Sequence, residues 1–201
     1  MRIGLDFDNT IACYDGVFHA AAVERGMIPA EGVATDKASV RDYLRSLGRD
    51  ADFTELQGYV YGPGMKHVGL FDGVERALSE LCAAGHDLFI ISHKTRVPFA
   101  GPPYDLHRHA HAFLAARRWA DSCFGNSRVF FEPTKEEKVA RVRALACEVF
   151  IDDLPEILAL EGYPPGLRKI LFDPEGRYVG PLESCRDWRT IAATLLGACA
   201  P

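Results

Sequence analysis

The sequence predicts an open, doubly wound α/β fold with a small helical cap inserted after the first strand, and three observations carry that prediction. Five short apolar runs of strand length recur at residues 2–7, 87–91, 128–131, 148–151 and 169–172, with helical patterns between most of them. Such β-α alternation builds a parallel sheet through crossover helices. The connection from the first run to the second is about eighty residues long, where a crossover needs only about a dozen, so something extra is inserted there. Finally, several of the strand ends carry acidic, hydroxyl or ammonium side chains, and doubly wound sheets bind ligands beyond those ends.

Each element follows in order. The first strand alternates around Ile3 and Leu5 and runs into D-F-D-N-T. If extended geometry persists there, Asp6 and Asp8 share one face while Phe7 points into the core. The insert reads as helices over 17–25, 37–47 behind Asp36, and 53–61, ending in the Gly62-Pro63-Gly64 break. Residues 14–68 are therefore expected to form the cap, and residues 1–13 with 69–201 the core. A helix over 74–84 is closed by Gly85, and the Pro/Gly-rich stretch 97–104 reads as an exposed loop beside the end of the second strand. Further helices are expected over 106–119 and, behind Thr134 as a cap, over 136–146. The chain shows no internal repeat. With 201 residues, 48% of them hydrophobic, it can bury one sizeable core and carry a lid.

Composition narrows the function. Net charge is −5, and no Lys/Arg run is long enough to follow a nucleic-acid backbone. No segment approaches the roughly 20 apolar residues of a membrane span, and Met1 to Leu5 run straight into Asp6 with no signal-type apolar region. A soluble, cytoplasmic protein is expected. Cys13, Cys82, Cys123, Cys147, Cys185 and Cys199 stand far apart, without zinc-type spacing, and read as reduced thiols. Nothing in the pattern fixes an oligomeric state.

The chemistry-bearing residues gather at the strand ends: Asp6, Asp8 and Thr10 after the first, Ser92, His93 and Lys94 at the second, Lys135 and Lys138 after the third, Asp152 and Asp153 at the fourth. Four carboxylates on one edge repel one another, and a divalent cation compensates them. All-oxygen ligands favour Mg²⁺, which pairs one or two carboxylates with a substrate phosphate. An Asp nucleophile splits one hard displacement into two easier ones, and a second acid two residues on can serve as acid and base. Either lysine can be the inward one; Lys138 is preferred because it directly precedes the Val139–Val142 stretch. Plainer readings stand beside these. Ser92 alone is an ordinary strand-end residue. His107 and His111 share a helix face but lack a third ligand and read as an exposed polar face. Arg96 and Tyr104 can meet a substrate or simply decorate a loop. Tyr14 and Phe18, flanking Asp15, either stack on a base or staple the first cap helix. Cys13 reads as packing.

D-F-D-N-T, the strand end I-I-S, the downstream lysine and F-I-D-D, in that order and across most of the chain, resemble the four motifs of the haloacid dehalogenase superfamily. The resemblance implies a Rossmann-like core with a cap of the first class, and Mg²⁺ as cofactor. By it, Asp6 is the nucleophile and Asp8 the general acid/base, Ser92 binds phosphate, and Lys138 stabilises charge. Asp6, Asp152 and the main-chain carbonyl of Asp8 hold the metal, and Asp153 orients water or lysine. Thr10, Ser92, His93 and Lys94 are the expected substrate contacts. An acid at position 8 points to phosphoryl transfer rather than halide chemistry. The implied activity is hydrolysis of a small phosphate monoester, a nucleotide or sugar phosphate, through an aspartyl-phosphate; a phosphotransferase or mutase, or a non-catalytic binding module, are the alternatives. F-I-D-D-L-P-E is also similar to a segment of deoxyribonucleotidases.

Overall fold

A computed structural model describes residues 1–197, apart from the side chain of Asn126; Cys199 lies outside the described residues. The chain runs β1 (Arg2–Leu5), β2 (Ala12–Cys13), α1 (Val17–Glu24), α2 (Lys37–Ser46), α3 (Asp50–Tyr61), a 3-10 turn (Pro63–His67), β3 (Gly69–Leu70), α4 (Val74–Ala83), β4 (Asp87–His93) and α5 (Leu106–Ala115). It continues through α6 (Arg118–Phe124), a second 3-10 turn (Asn126–Arg128), β5 (Val129–Glu132), α7 (Lys135–Ala144), β6 (Val149–Asp152), α8 (Pro155–Leu158), β7 (Arg168–Phe172), β8 (Glu183–Cys185) and α9 (Trp188–Gly197). Two compact units result, one from Met1–Ala12, Leu70–Lys94 and the chain from Arg117 onward, the other from Cys13–Gly69 and Thr95–Ala116.

The first unit holds a six-stranded sheet in the order β5-β4-β1-β6-β7-β8, and its strand pairs are parallel. The chain begins in the middle, steps outward through β4 to β5, then returns to the other side of β1 to lay down β6, β7 and β8. The order therefore reverses at β1, the position where such sheets open a ligand crevice. Register places Leu5 level with Ile90 on β4 and Ile151 on β6, so the residues that follow all three emerge from one edge. Ile3, Leu5, Ile90, Phe150 and Ile151 are fully buried, as strands covered on both faces require. Gly4 on β1 lets the neighbours close in: a Cβ there would stand 2.8 Å from the Phe150 ring and 3.1 Å from Ile91.

The second unit is helical. Phe18 of α1 stacks on Phe53 of α3 with ring centroids 6.0 Å apart, and Tyr14 and Phe18 both meet Tyr61, at 5.1 and 5.7 Å. These rings staple α1 to α3. Asp36 caps α2 by accepting from the Ser39 amide at 3.0 Å. Residues 95–116, expected in the core, group with this unit instead. The reason is close packing on α3: a Cβ at Gly58 would lie 2.7 Å from Pro98, and one at Gly62 would lie 3.0 Å from Tyr104. The stretch expected to be an exposed loop is thus partly anchored, although Phe99 is exposed.

Other differences are local. β1 ends at Leu5, two residues early. The helix expected over 106–119 breaks at Arg117, whose backbone is extended. The edge strand β8 and helices α8 and α9 were not expected. Among the described residues, no helix is long and apolar enough to cross a membrane.

Gly4→Ala should destabilise the protein by about 1–3 kcal/mol through overpacking against Phe150, read as a shifted midpoint in urea unfolding; an unchanged midpoint would show that the close approach carries no constraint.

Candidate active site

Asp6 is the first residue beyond β1, and its amide donates to the Ile151 carbonyl at 2.8 Å, carrying the ladder one step past the strand. That bond fixes the side chain at the sheet edge, where it is nearly buried at 4% exposure. Ser92, near the end of β4, donates its hydroxyl to Asp6 Oδ1 at 2.9 Å. Lys138 Nζ donates to Asp6 Oδ1 at 2.5 Å and to Asp152 Oδ2 at 2.6 Å. Its helix starts where it does because Thr134 accepts from the Glu137 amide at 3.1 Å, a capping arrangement that sets the helical register. Lys138 is buried while Lys135 is half-exposed, so Lys138 is the lysine brought to Asp6. Asp152 is held from its other oxygen by the Leu154 amide at 3.0 Å.

Beyond Asp6 the backbone turns sharply. Asn9 sits at φ 58°, and the Ile11 and Ala12 amides both donate to the Phe7 carbonyl, at 3.0 and 2.9 Å. The turn buries Phe7 completely and sends Asp8 to Lys94, whose Nζ lies 2.8 Å from Oδ2 and 3.1 Å from Oδ1. The two acids of D-F-D therefore meet different cations.

Carboxylate oxygens of Asp6, Asp152 and Asp153 lie within 4.8 Å of one another. This all-oxygen donor set suits a hard divalent cation. Asp153 adds a third carboxylate to the expected Asp6 and Asp152, while the Asp8 side chain, expected to act on protons and to meet metal only through its main-chain carbonyl, stands outside the group. Thr10 is fully buried; its hydroxyl donates to Asp153 at 3.4 Å and its carbonyl accepts from Trp188 Nε1 at 3.0 Å, which ties it to the acidic edge. His93 Nε2 stands 3.1 Å from the Pro133 carbonyl, and burial holds its pKa below the usual value, which suits a neutral ring donating to that carbonyl. Among the described residues His107 and His111 join no group of three metal-competent side chains. Arg96 pairs with Asp105 at 3.1 Å on the surface. Burial raises the pKa of the Cys13 thiol, consistent with a packing role.

The sequence matches no protein-family model and no curated protein. Solved structures do resemble the fold along nearly its whole length. A predicted phosphatase from Clostridium acetobutylicum is 16% identical with a TM-score of 0.61, over 98% of either chain. A HAD family hydrolase from Deinococcus radiodurans R1, solved with bound phosphate and sodium, is 16% identical with a TM-score of 0.57, over 98% of this chain and 95% of that one. A HAD hydrolase from Bacillus subtilis, solved with magnesium, is 15% identical with a TM-score of 0.55, over 96% and 98%. The fold is that of the haloacid dehalogenase (HAD) superfamily.

On this HAD scaffold the electrostatics of the edge are strained. One ammonium is shared between two carboxylates, Asp6 and Asp152, and a third, Asp153, stands close by. Burial raises the pKa of Asp6 to about 7 against the attraction of Lys138, with repulsion from Asp152 and Asp8 adding to the rise. Burial also raises Asp152, and burial with repulsion from Asp6 and Asp152 raises Asp153 well above the usual carboxylate range. Burial alone would lower the pKa of Lys138, but attraction to Asp6 and Asp152 outweighs it and the net direction is upward. Without added positive charge, burial favours the protonated form of these carboxyls.

The sign for stability follows. A carboxyl whose folded pKa lies above its unfolded value of 3.8 stabilises the fold at low pH, and that contribution is lost as pH rises from about 4 to about 7. The Lys138 shift acts only above its ordinary 10.5, outside this window. Burial lowers the pKa of His86, His93, His109 and His111, which acts in the opposite direction over this window, so the Mg²⁺ increment is the readout: Mg²⁺ should raise the melting temperature more at pH 8 than at pH 5.5, because metal and protons compete for the same oxygens. Melting that is insensitive to Mg²⁺ at both pH values would contradict this account of the cluster.

Proposed function

We propose that this chain is a Mg²⁺-dependent phosphomonoester hydrolase that acts on a small phosphorylated metabolite, a nucleotide or sugar phosphate, through an aspartyl-phosphate on Asp6. The observation that carries the reading is the surround of Asp6: one carboxylate oxygen receives both the Ser92 hydroxyl and the Lys138 ammonium, beside two further carboxylates at the reversal point of the sheet. The phosphatase and the phosphate- and magnesium-bound hydrolases among the structural neighbours support the same class.

In the reaction, Asp6 attacks phosphorus and the ester P–O bond breaks. Asp8 gives its proton to the departing oxygen, which leaves as an alcohol. The Asp8 carboxylate then takes a proton from water, which attacks the phosphorus of the aspartyl-phosphate; the P–O bond to Asp6 breaks and inorganic phosphate leaves. Ser92 and Lys138 are placed to hold the phosphoryl oxygens and the charge that builds on them. Asp6, Asp152 and Asp153, with the Asp8 main-chain carbonyl that the family resemblance adds, would hold Mg²⁺, which when bound neutralises phosphate charge and shields it from the attacking carboxylate.

A panel of nucleotides, sugar phosphates and an aryl phosphate, each with Mg²⁺ and with a chelator, tests the reading. Phosphate release that needs Mg²⁺ and favours one class of ester is expected. Asp6→Asn should abolish release, and Asp8→Asn should slow it by about 10²–10⁴-fold, both with folds intact by circular dichroism. Transfer of phosphate to a sugar acceptor in place of release would indicate a phosphotransferase, and turnover surviving in Asp6→Asn would remove Asp6 as nucleophile.

A further inference from the structure

The mechanism above leaves one buried cation without a task. Lys94 follows Ser92 by two positions at the end of β4, and only 3% of its side chain is exposed. A lysine so enclosed is rare unless paired, and its partner is the carboxylate of Asp8, reached at both oxygens. The ammonium has little freedom. The Lys94 amide donates to the Glu132 carbonyl at 2.9 Å, which extends the β4–β5 ladder, and Nζ stands 5.8 Å from the centre of the Phe7 ring. Phe7 is itself immobilised by full burial and an edge contact with Phe131 at 5.8 Å.

The consequence falls on Asp8. It lies two residues from Asp6, close enough to raise the latter's pKa, yet its carboxylate stands apart from the group that Asp6, Asp152 and Asp153 form. A carboxylate drawn into that group would face its oxygens rather than a departing ester oxygen. Asp8 is also the more open of the two acids, with 19% of its side chain exposed against 6% for Asp6. We infer that Lys94 is a positioning residue, which holds the Asp8 carboxylate outside the group formed by Asp6, Asp152 and Asp153 and so within reach of the ester oxygen. Lys94 thus acts through Asp8 rather than as the direct substrate contact that its place in the sequence suggests. The inference deepens the hydrolase reading and rests on it.

Leaving-group dependence separates this role from a structural one. An alkyl phosphate must have its departing oxygen protonated; p-nitrophenyl phosphate releases a phenolate that needs little help. With Mg²⁺ present, Lys94→Met should lower kcat on the alkyl ester by roughly 10²-fold, as a misplaced catalytic group does, while kcat on the aryl ester changes only a few-fold and KM for both holds. Lys94→Arg should recover part of the alkyl activity. In an Asp8→Asn background, replacing Lys94 should add little further loss, and Mg²⁺ binding by calorimetry should be unchanged in Lys94→Met. Equal losses on the two esters, or a rise in KM at constant kcat, would overturn the inference and make Lys94 a structural or direct phosphate-binding residue. If Lys94→Met does not fold, Lys94→Arg carries the test, since a displaced cation must still affect the alkyl ester more than the aryl one. A wild-type protein that hydrolyses neither ester would overturn the hydrolase reading, and this inference with it; normal wild-type hydrolysis with uniform losses in the variants would overturn the inference alone.

Discussion

The ammonium of Lys138 binds two strands' worth of chemistry together. It reaches Asp6 beyond β1 and Asp152 at the end of β6 at 2.5 and 2.6 Å, and all three groups are buried. Ionised groups out of water are expensive unless paired, and removing one partner of such a set costs about 3–5 kcal/mol because it strands the other charges. The position of α7, the register of β1 against β6 and the burial of the sheet edge are therefore interdependent. Thr134 sets where α7 begins, α7 packs against β4 and β5, and the parallel register brings Leu5, Ile90 and Ile151 level. A shift of one residue in any of these elements would separate the ammonium from a carboxylate.

The same edge explains why a single cation is insufficient. Lys138 compensates Asp6 and Asp152, but Asp153 adds a third carboxylate nearby, and the cluster as a whole is driven toward protonation. Under the proposed function, that imbalance would be met by a divalent cation whose ligands are already in place, and such preorganisation would serve catalysis because the charges need not be assembled when a phosphate arrives. The D-F-D turn divides labour within two residues: Asp6 faces the cluster, Phe7 fills the core, and Asp8 is drawn to Lys94.

Much of this was legible in the sequence, and the exceptions have physical causes. Asp6, Ser92, Lys138 and Asp152 could be found because each lies at the end of an apolar run or one turn into a capped helix. The preference for Lys138 over Lys135 rests on the Val139–Val142 stretch that follows it, and the structure brings Lys138 to Asp6; what buries it is how α7 lies on the sheet. Strand β8 is three residues long with Glu183 and Ser184 exposed, so it carries no apolar pattern to read. Helix α9 does carry one, in Trp188, Ile191, Ala192 and Leu195. Gly58 and Gly62, which admit Pro98 and Tyr104, are visible only once α3 and the 95–104 stretch are brought together in space. Thr10 and Lys94 sat in the expected places, but their partners, Asp153 and Asp8, are long-range pairings that strand periodicity does not encode.

The measurement that bears most directly on the account is capture of the covalent intermediate. During turnover of a phosphate ester with Mg²⁺, the reaction is quenched and treated with borohydride, which reduces an acyl phosphate to an alcohol, and the modified residue is located by peptide mass. The account predicts homoserine at position 6 and none in Asp6→Asn. Phosphate release with no reducible adduct at Asp6, or with the adduct at Asp8, would contradict it.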